Sequence, residues 1–129
     1  MKNDNQQNKT QVIQISNRTK ITKILKENDM KFFFIQVRYY LKKGCRSEFY
    51  RKFRDNNIIE MSRAEVGNIE YCMFFPMDSD DDICILEKWE SKENIEAHQK
   101  TLHYAILNEL KEKYVEKVEI KKYWVEELM

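Results

Sequence analysis

Four short segments rich in β-branched and aromatic side chains predict four β-strands. Two longer segments repeat apolar side chains at helical spacing, as Phe49 and Phe53 do at positions four apart, and these predict helices. Gly67 ends the first helical segment, since a left-handed residue costs least there. The predicted strands cover 32–41, 69–75, 83–90 and 118–125, and the predicted helical segments cover 45–65 and 92–115. The order is therefore βαββαβ.

This order predicts an α+β fold of the ferredoxin-like kind, with an antiparallel sheet and helices on one face. Strand 32–41, however, carries apolar side chains on both faces. Phe32, Phe34 and Tyr40 lie on one face, and Phe33, Ile35, Val37, Tyr39 and Leu41 lie on the other. Because the helices cover a single face, we expect a homodimer in which the second face packs sheet against sheet.

Charge divides the chain of 129 residues into two parts. Residues 1–29 form a polar, Asn/Gln-rich extension of net charge +3, in which a short helix is predicted near 19–27. Residues 30–129 form the predicted domain, and their net charge is −2. The overall net charge of +1 argues against a nucleic-acid-binding module, because such modules depend on a cationic surplus.

Composition excludes several further classes. Two glycines cannot build the glycine-rich loops that cradle nucleotide phosphates. Three cysteines without a C-x-x-C pair indicate reduced thiols. No secretory leader or apolar run of membrane-spanning length is visible, so we expect a cytoplasmic protein that does not bind membranes.

The densest cluster of reactive side chains lies between positions 87 and 104. Glu87 and Trp89 are two apart on a predicted strand, so both project to the same face as Ile83 and Ile85. A carboxylate on an apolar face is costly unless it is paired. Glu87 is therefore either a structural ion-pair partner or an acid/base group with a shifted pKa.

His98 and His103 are five positions apart, so on one continuous helix their side chains would diverge by roughly 140°. Thr101 is a good N-cap residue, and a helix break there would let both rings turn toward one pocket. A spacing of five is not typical of zinc ligands, and no third ligand is evident in the sequence. The acidic run at 78–82 lacks the glycine and the final glutamate of a calcium loop. We predict no metal site.

These residues carry a resemblance to a known family. EKWESKENIEAHQKTLH is similar to the signature E-x-W-x-S-x-x-x-x-x-x-H-x-x-x-x-H of the antibiotic biosynthesis monooxygenase (ABM) domain family, and SRAEVGNIEY resembles its E-x-G-x-x-x-Y segment through Glu65, Gly67 and Tyr71. The similarity extends over about residues 31–125. It implies a dimeric α+β barrel of ferredoxin-like domains. Haem-degrading relatives have Trp where His98 stands, so haem cleavage is disfavoured.

The resemblance implies a cofactor-independent monooxygenase that oxidises a small, quinol-like aromatic with O2. Such an enzyme needs a base, and His98 is the first choice because histidine changes charge nearest to neutral pH. We expect His103 to assist and Glu87 to position a neighbouring group, so the predicted catalytic residues are His98, His103 and Glu87. The predicted substrate-binding residues are Tyr71, Trp89, Tyr104 and Arg38. No cofactor is expected.

Two other functions fit the same sequence. The first is a non-oxidative isomerase, which also needs a histidine acid/base; a phosphorylated substrate would require a cationic cluster, for which Arg38 is the single arginine on a predicted strand. The second is a small-molecule-binding or stress-response domain without turnover. A closed pocket with both imidazoles turned outward would favour that second function.

Overall fold

The computed structural model describes residues 31–128. Its strands are β1 (Lys31–Leu41), β2 (Asn68–Phe74), β3 (Asp82–Trp89) and β4 (Val115–Glu126), and its helices are α1 (Arg46–Asp55), α2 (Ile58–Arg63), α3 (Lys92–His98) and α4 (Leu102–Tyr114). The strands lie side by side in the order β2-β3-β1-β4, with β1 and β2 each antiparallel to β3. The predicted ferredoxin-like α+β fold is confirmed. The predicted helix near 19–27 lies outside the described residues, and the boundary at residue 30 stays a prediction.

Strand register gives the sheet one buried face. Glu87 in β3 is the partner of Ile35 in β1 and of Tyr71 in β2, so these three side chains form a row across the sheet. The apolar residues of this face pack against Phe49, Phe53, Ile58 and Leu107 of the helices. We call this the helix-side face, and the opposite one the outer face. The helix-side residues that form the core are Ile35, Val37, Tyr39, Leu41, Tyr71, Ile83, Ile85 and Trp89.

Two interruptions divide the helical segments. Thr101 begins α4 by accepting a hydrogen bond from the backbone N–H of Tyr104 at its side-chain hydroxyl, so the break that its capping ability allowed is present. The prediction of one continuous helix over 45–65 was wrong. Asn57 adopts a left-handed backbone conformation (φ 57°), which asparagine tolerates better than most residues, and this separates α1 from α2. Within the described residues, no helix is long and apolar enough to cross a membrane.

Gly67 joins the end of α2 to the beginning of β2 at a place where a side chain does not fit. Its φ is +84°, and a Cβ atom built there would overlap the side chain of Asn94 in α3. Its carbonyl oxygen accepts a hydrogen bond of 2.8 Å from the backbone N–H of Glu90. The close approach brings the turn that carries Glu65 against the helix that carries His98.

Candidate functional site

Glu65 holds two histidines with one carboxylate oxygen. Its Oε2 lies 2.5 Å from Nδ1 of His98 and 2.7 Å from Nε2 of His103. The exposed fractions of the three side chains are 13%, 4% and 7%, so these contacts are shielded from water. An ionised carboxylate only accepts hydrogen bonds, so each ring must donate an N–H to it, which assigns the tautomers. Nε2 of His98 and Nδ1 of His103 are therefore the nitrogens that Glu65 does not bind.

The short turn between α3 and α4 makes this arrangement possible. His98 is the last residue of α3, and His103 is the second residue of α4. The change of direction between the two helices turns both rings toward the same acceptor, whereas His98 lines the cavity described below and His103 does not. Glu65 comes from the turn after α2, where its backbone N–H donates to the carbonyl oxygen of Ser62. Three elements that are distant in sequence thus meet at one carboxylate.

Aromatic side chains surround the His98 ring. The ring centroid of Trp89 lies 4.8 Å away, that of Tyr104 lies 5.1 Å away, and that of Tyr71 lies 5.9 Å away. Trp89 is itself fixed, because its Nε1–H donates a 2.8 Å hydrogen bond to Oε1 of Glu87. The imidazole of His98 is therefore held by packing on its faces and by a charge-assisted hydrogen bond at Nδ1.

A cavity of about 60 Å³ lies beside His98, between the helix-side face and the helices. His98, Glu87 and Tyr104 line it together with apolar residues that include Ile35 and Leu107. Four of the predicted site residues do not line it, and one of these, Arg38, lies on the outer face of the sheet. Tyr71 and Trp89 pack behind the His98 ring, and His103 contacts Glu65. The geometry therefore gives them supporting positions and not the lining positions that the sequence argument expected.

Burial controls the electrostatics of the cavity wall. It raises the pKa of Glu87, an effect that the Trp89 N–H and the charge of His98 partly offset. Burial also raises the pKa of Tyr39 and Tyr104, and the nearby carboxyl of Glu87 adds to both shifts. The two phenols thus remain protonated at neutral pH and can donate hydrogen bonds.

Arg38 lies on the outer face, away from the histidines. Its Nε and Nη2 donate hydrogen bonds of 2.8 and 2.6 Å to Oδ2 of Asp82. The expectation that Arg38 shares a pocket with His98 is not met by the geometry. Position 38 has the side-chain parity of Phe34 and Tyr40, whereas the cavity is lined by residues of the opposite parity, such as Ile35 and Tyr39.

Glu65, His98 and His103 are the residues that could hold a metal ion in the described part of the chain. Two imidazoles and a carboxylate are a donor set that suits iron or zinc. Ligand atoms at about 2.1 Å from such an ion lie roughly 2.9–3.4 Å from one another. The separations of 2.5 and 2.7 Å are shorter, and they correspond to direct hydrogen bonds. In this arrangement the three groups fit one another and not an ion.

Glu65 is the site residue to which the sequence argument gave no role. It was matched to a motif, but it lies 33 positions before His98 and 38 before His103. One signal in the sequence could have identified Glu65, namely its place two residues before Gly67. In the structure Gly67 has a positive φ and lies against the side chain of Asn94. A carboxylate fixed at such a turn is well placed to orient a distant side chain.

Comparisons with known proteins agree with this fold. The family model described as "Antibiotic biosynthesis monooxygenase" matches residues 32–109. The Bacillus subtilis (strain 168) protein named "Putative monooxygenase YcnE" is 29% identical over 70 residues, which is 54% of this chain and 72% of that protein.

Solved structures show the same architecture. PA3566 from Pseudomonas aeruginosa superimposes with a TM-score of 0.68 at 20% identity, covering 74% of this chain and 94% of that one. A protein described as "Putative antibiotic biosynthesis monooxygenase from Nitrosomonas europaea" superimposes with a TM-score of 0.65, also at 20% identity, covering 70% of this chain and 95% of that one. At such identities the likeness establishes the fold alone.

Proposed function

Because the chain belongs to the antibiotic biosynthesis monooxygenase family, we propose that it is a cofactor-independent monooxygenase acting on a small, electron-rich aromatic of the quinol kind. One observation carries the proposal. A buried histidine, His98, lines a cavity while a carboxylate, Glu65, holds its far nitrogen. This is the arrangement by which enzymes prepare an imidazole to accept a proton.

His98 is the general base of the proposed reaction. Its Nδ1–H donates to Glu65, so Nε2 takes the proton of a substrate hydroxyl. The carboxylate then stabilises the imidazolium that forms, and it keeps the ring from rotating. His103 holds the same carboxylate oxygen, so its proposed role is to position Glu65. Trp89 and Tyr71 position the ring through packing.

Deprotonation prepares the substrate to react with oxygen directly. An electron-rich phenolate transfers an electron to O2, and the two radicals combine into a substrate peroxide. Loss of water from the peroxide leaves one oxygen atom in the product. For 1,4-naphthohydroquinone the balance is quinol plus O2 giving 2-hydroxy-1,4-naphthoquinone plus water. Tyr104, which lines the cavity beside His98 and whose pKa is raised by burial, is one hydrogen-bond donor available to the developing oxyanion or peroxide.

Isotope labelling tests the proposal. The protein is mixed with 1,4-naphthohydroquinone under ¹⁸O2, without added metal or organic cofactor, and the products are analysed by mass spectrometry. We expect hydroxyquinone carrying one ¹⁸O atom, formed faster than without protein. His98→Ala should reduce the rate constant by about 10²–10⁴-fold. Unlabelled quinone with peroxide would indicate a simple oxidase, and equal rates for the wild type and His98→Ala would remove His98 as the base.

One observation supports catalysis over a pure binding function. A binding domain was expected to turn its imidazoles outward, but His98 and His103 are only 3% and 6% exposed. Two buried imidazoles that share one carboxylate are a grouping of titratable residues that is frequent at functional sites. It supports acid/base chemistry, which an isomerase on this scaffold would share. Turnover without oxygen would favour the isomerase.

We also propose that the protein is a homodimer. Phe34, Cys84 and Leu86 on the outer face are half-buried, and Phe74 is 48% exposed. Strand β4 adds Tyr123, which is 45% exposed and whose ring centroid lies 6.2 Å from that of Phe34. Apolar side chains grouped in this way are typical of a surface that another protein covers. Sedimentation velocity at micromolar concentration should give a single dimeric species; a monodisperse monomer would contradict the proposal.

A further inference from the structure

We propose that the cavity beside His98 accepts substrates that carry an anionic group, a carboxylate or a phosphate, and that Lys111 and Lys122 bind this group. The inference rests on the proposed function, because it assumes that the cavity is the substrate site. It adds the chemical class of the substrate, which neither the fold nor the histidine cluster determines.

Two lysines from different elements line the same cavity as His98. Lys111 comes from the last turn of α4, and Lys122 comes from β4. Lys111 is half-buried, and its Nζ lies 5.7 Å from the ring centroid of Tyr39, which also lines the cavity. The charge of Lys122 lowers the pKa of Glu87, so this ammonium group acts on the cavity wall. Two lysine side chains, a half-buried one and an exposed one, thus line one small space.

Neither lysine is neutralised within the part of the chain that the structure describes. Among residues 31–128, no carboxylate oxygen lies within 4.0 Å of Nζ of Lys111 or of Lys122. Burial lowers the pKa of Lys111, which reflects the cost of keeping an ammonium group away from water. A ligand anion would offset this cost, because it would supply a counter-charge beside the half-buried Lys111, whose Nζ otherwise donates a 3.4 Å hydrogen bond to Oδ1 of Asn108.

The arrangement also orients the ligand. His98 lies at one side of the cavity and takes the proton of a hydroxyl, while the lysines occupy positions on α4 and β4. A ligand with its hydroxyl and its anionic group at opposite ends would satisfy both. Burial raises the pKa of Glu87, which means that the cavity wall disfavours the charged form of this carboxyl.

The size of the cavity limits which ligands can enter it without movement of the surrounding side chains. About 60 Å³ is less than the roughly 150 Å³ of a cavity known to hold benzene. An aromatic ligand therefore requires movement of side chains around the cavity. Gln99, Lys111 and Lys122 all line it on long, flexible side chains. Binding thus couples entry of the ligand to movement of the residues that we propose to bind its anionic group.

Calorimetry with three ring compounds tests the proposal. Phenol, 4-hydroxybenzoate and phenyl phosphate are titrated into the protein under nitrogen, so that binding is measured without turnover. We expect at least one anionic compound to bind fivefold or more tightly than phenol at low salt, with a smaller preference in 0.5 M NaCl. The compound that binds most tightly identifies the anion as carboxylate or phosphate.

Variants connect the preference to the two lysines. Lys111→Met and Lys122→Met should each reduce it at least threefold while phenol binding stays the same. Lys100→Met is the matched control, because it removes the same charge from an exposed turn residue that does not line the cavity. Equal affinity for phenol and both anions, or a preference unchanged in both lysine variants, would overturn the proposal. Oxygenation of naphthohydroquinone without an anion preference would leave the proposed function intact, whereas anion binding without oxygenation would remove only that function.

Discussion

The buried carboxylates on the two faces of the sheet differ in their hydrogen-bond partners. On the outer face, Asp82 in β3 accepts two charge-assisted hydrogen bonds from Arg38, so its charge is satisfied where it lies. On the helix-side face, Glu87 in the same strand accepts one neutral hydrogen bond, from Trp89, and it lines a cavity. The outer acid has a structural partner, whereas the inner one retains hydrogen-bonding capacity for a ligand.

The same contrast extends to Glu65. Its carboxylate is nearly buried, and its partners are two histidines, which unlike arginine can exchange a proton near neutral pH. The helix-side face therefore collects groups that can change protonation state. On the outer face, the hydrogen bond to Asp82 raises the pKa of Arg38 further above its already high ordinary value, so this guanidinium keeps its charge. A carboxylate with a basic partner does not by itself identify a functional site. What distinguishes the two here is whether the partner is histidine or arginine.

The largest expected effect comes from removing the charge that holds the histidines. Glu65→Gln should lower kcat for naphthohydroquinone oxidation by at least about 10²-fold with KM changed less than about twofold, because the imidazolium loses its stabilising charge. Glu65→Asp should restore part of kcat. Asp82→Asn makes the matching change on the outer face and should leave kcat within about twofold. Equal losses in the Glu65 and Asp82 variants would reduce Glu65 to a structural group.

The next effect concerns the turn that brings Glu65 to α3. Gly67→Ala meets both a positive φ and an overlap with Asn94, whereas Gly44→Ala meets a positive φ (+77°) with no heavy atom within 4 Å of the added Cβ. Urea unfolding should show a loss of about 1–2 kcal/mol for Gly44→Ala. For Gly67→Ala it should show about 1–3 kcal/mol more, from overpacking. Equal losses of unfolding free energy in the two variants would mean that the side chain of Asn94 can move away from the added methyl group at little cost.

A third prediction uses the buried carboxyl of Glu87. Burial raises its pKa, so folding favours the protonated form, and wild-type stability is lost as pH rises through the folded-state pKa. Glu87→Gln keeps an oxygen for the Trp89 N–H and removes this loss. Thermal unfolding should therefore find the variant more stable than the wild type at pH 7–8, with a smaller difference near pH 4. A difference that grows toward acid would show that the folded state favours the charged form.

The smallest effect is expected on the outer face. Arg38→Lys keeps the charge beside Asp82 but loses the two-nitrogen contact, and the pair is partly open to solvent. The melting temperature should fall less than in Gly67→Ala, and the difference from the wild type should shrink in 0.5 M NaCl. A salt-independent loss would show that packing, and not charge, dominates this contact.

Local patterns predicted the fold because its elements depend on nearby residues. The strands were predicted from their β-branched and aromatic residues and from the alternation of apolar and polar side chains. Thr101 indicated a possible start for α4, because its side chain can cap a helix. The break at Asn57 was not predicted, because apolar residues keep their helical spacing across it. Asparagine permits a left-handed conformation but does not require one.

The site was only partly predictable for a similar reason. Glu87, His98 and Tyr104 were identified, and all three line the cavity. The role of Glu65 depends on a contact across 33 positions, which local spacing does not encode. Arg38 was grouped with the wrong neighbours because residue type was given more weight than side-chain parity along β1.

The turn between α3 and α4 has a consequence for how the length of this chain can vary. One residue added at 99–101 would change the direction of α4 relative to α3 and carry His103 away from Glu65. The loop at 75–81, between β2 and β3, imposes no such condition, since its extra residues would project outward while the strand register persisted. Insertions and deletions should therefore accumulate in the loop at 75–81 and be absent from the turn at 99–101. Among related chains, a turn of unchanged length at 99–101 should then accompany the paired histidines.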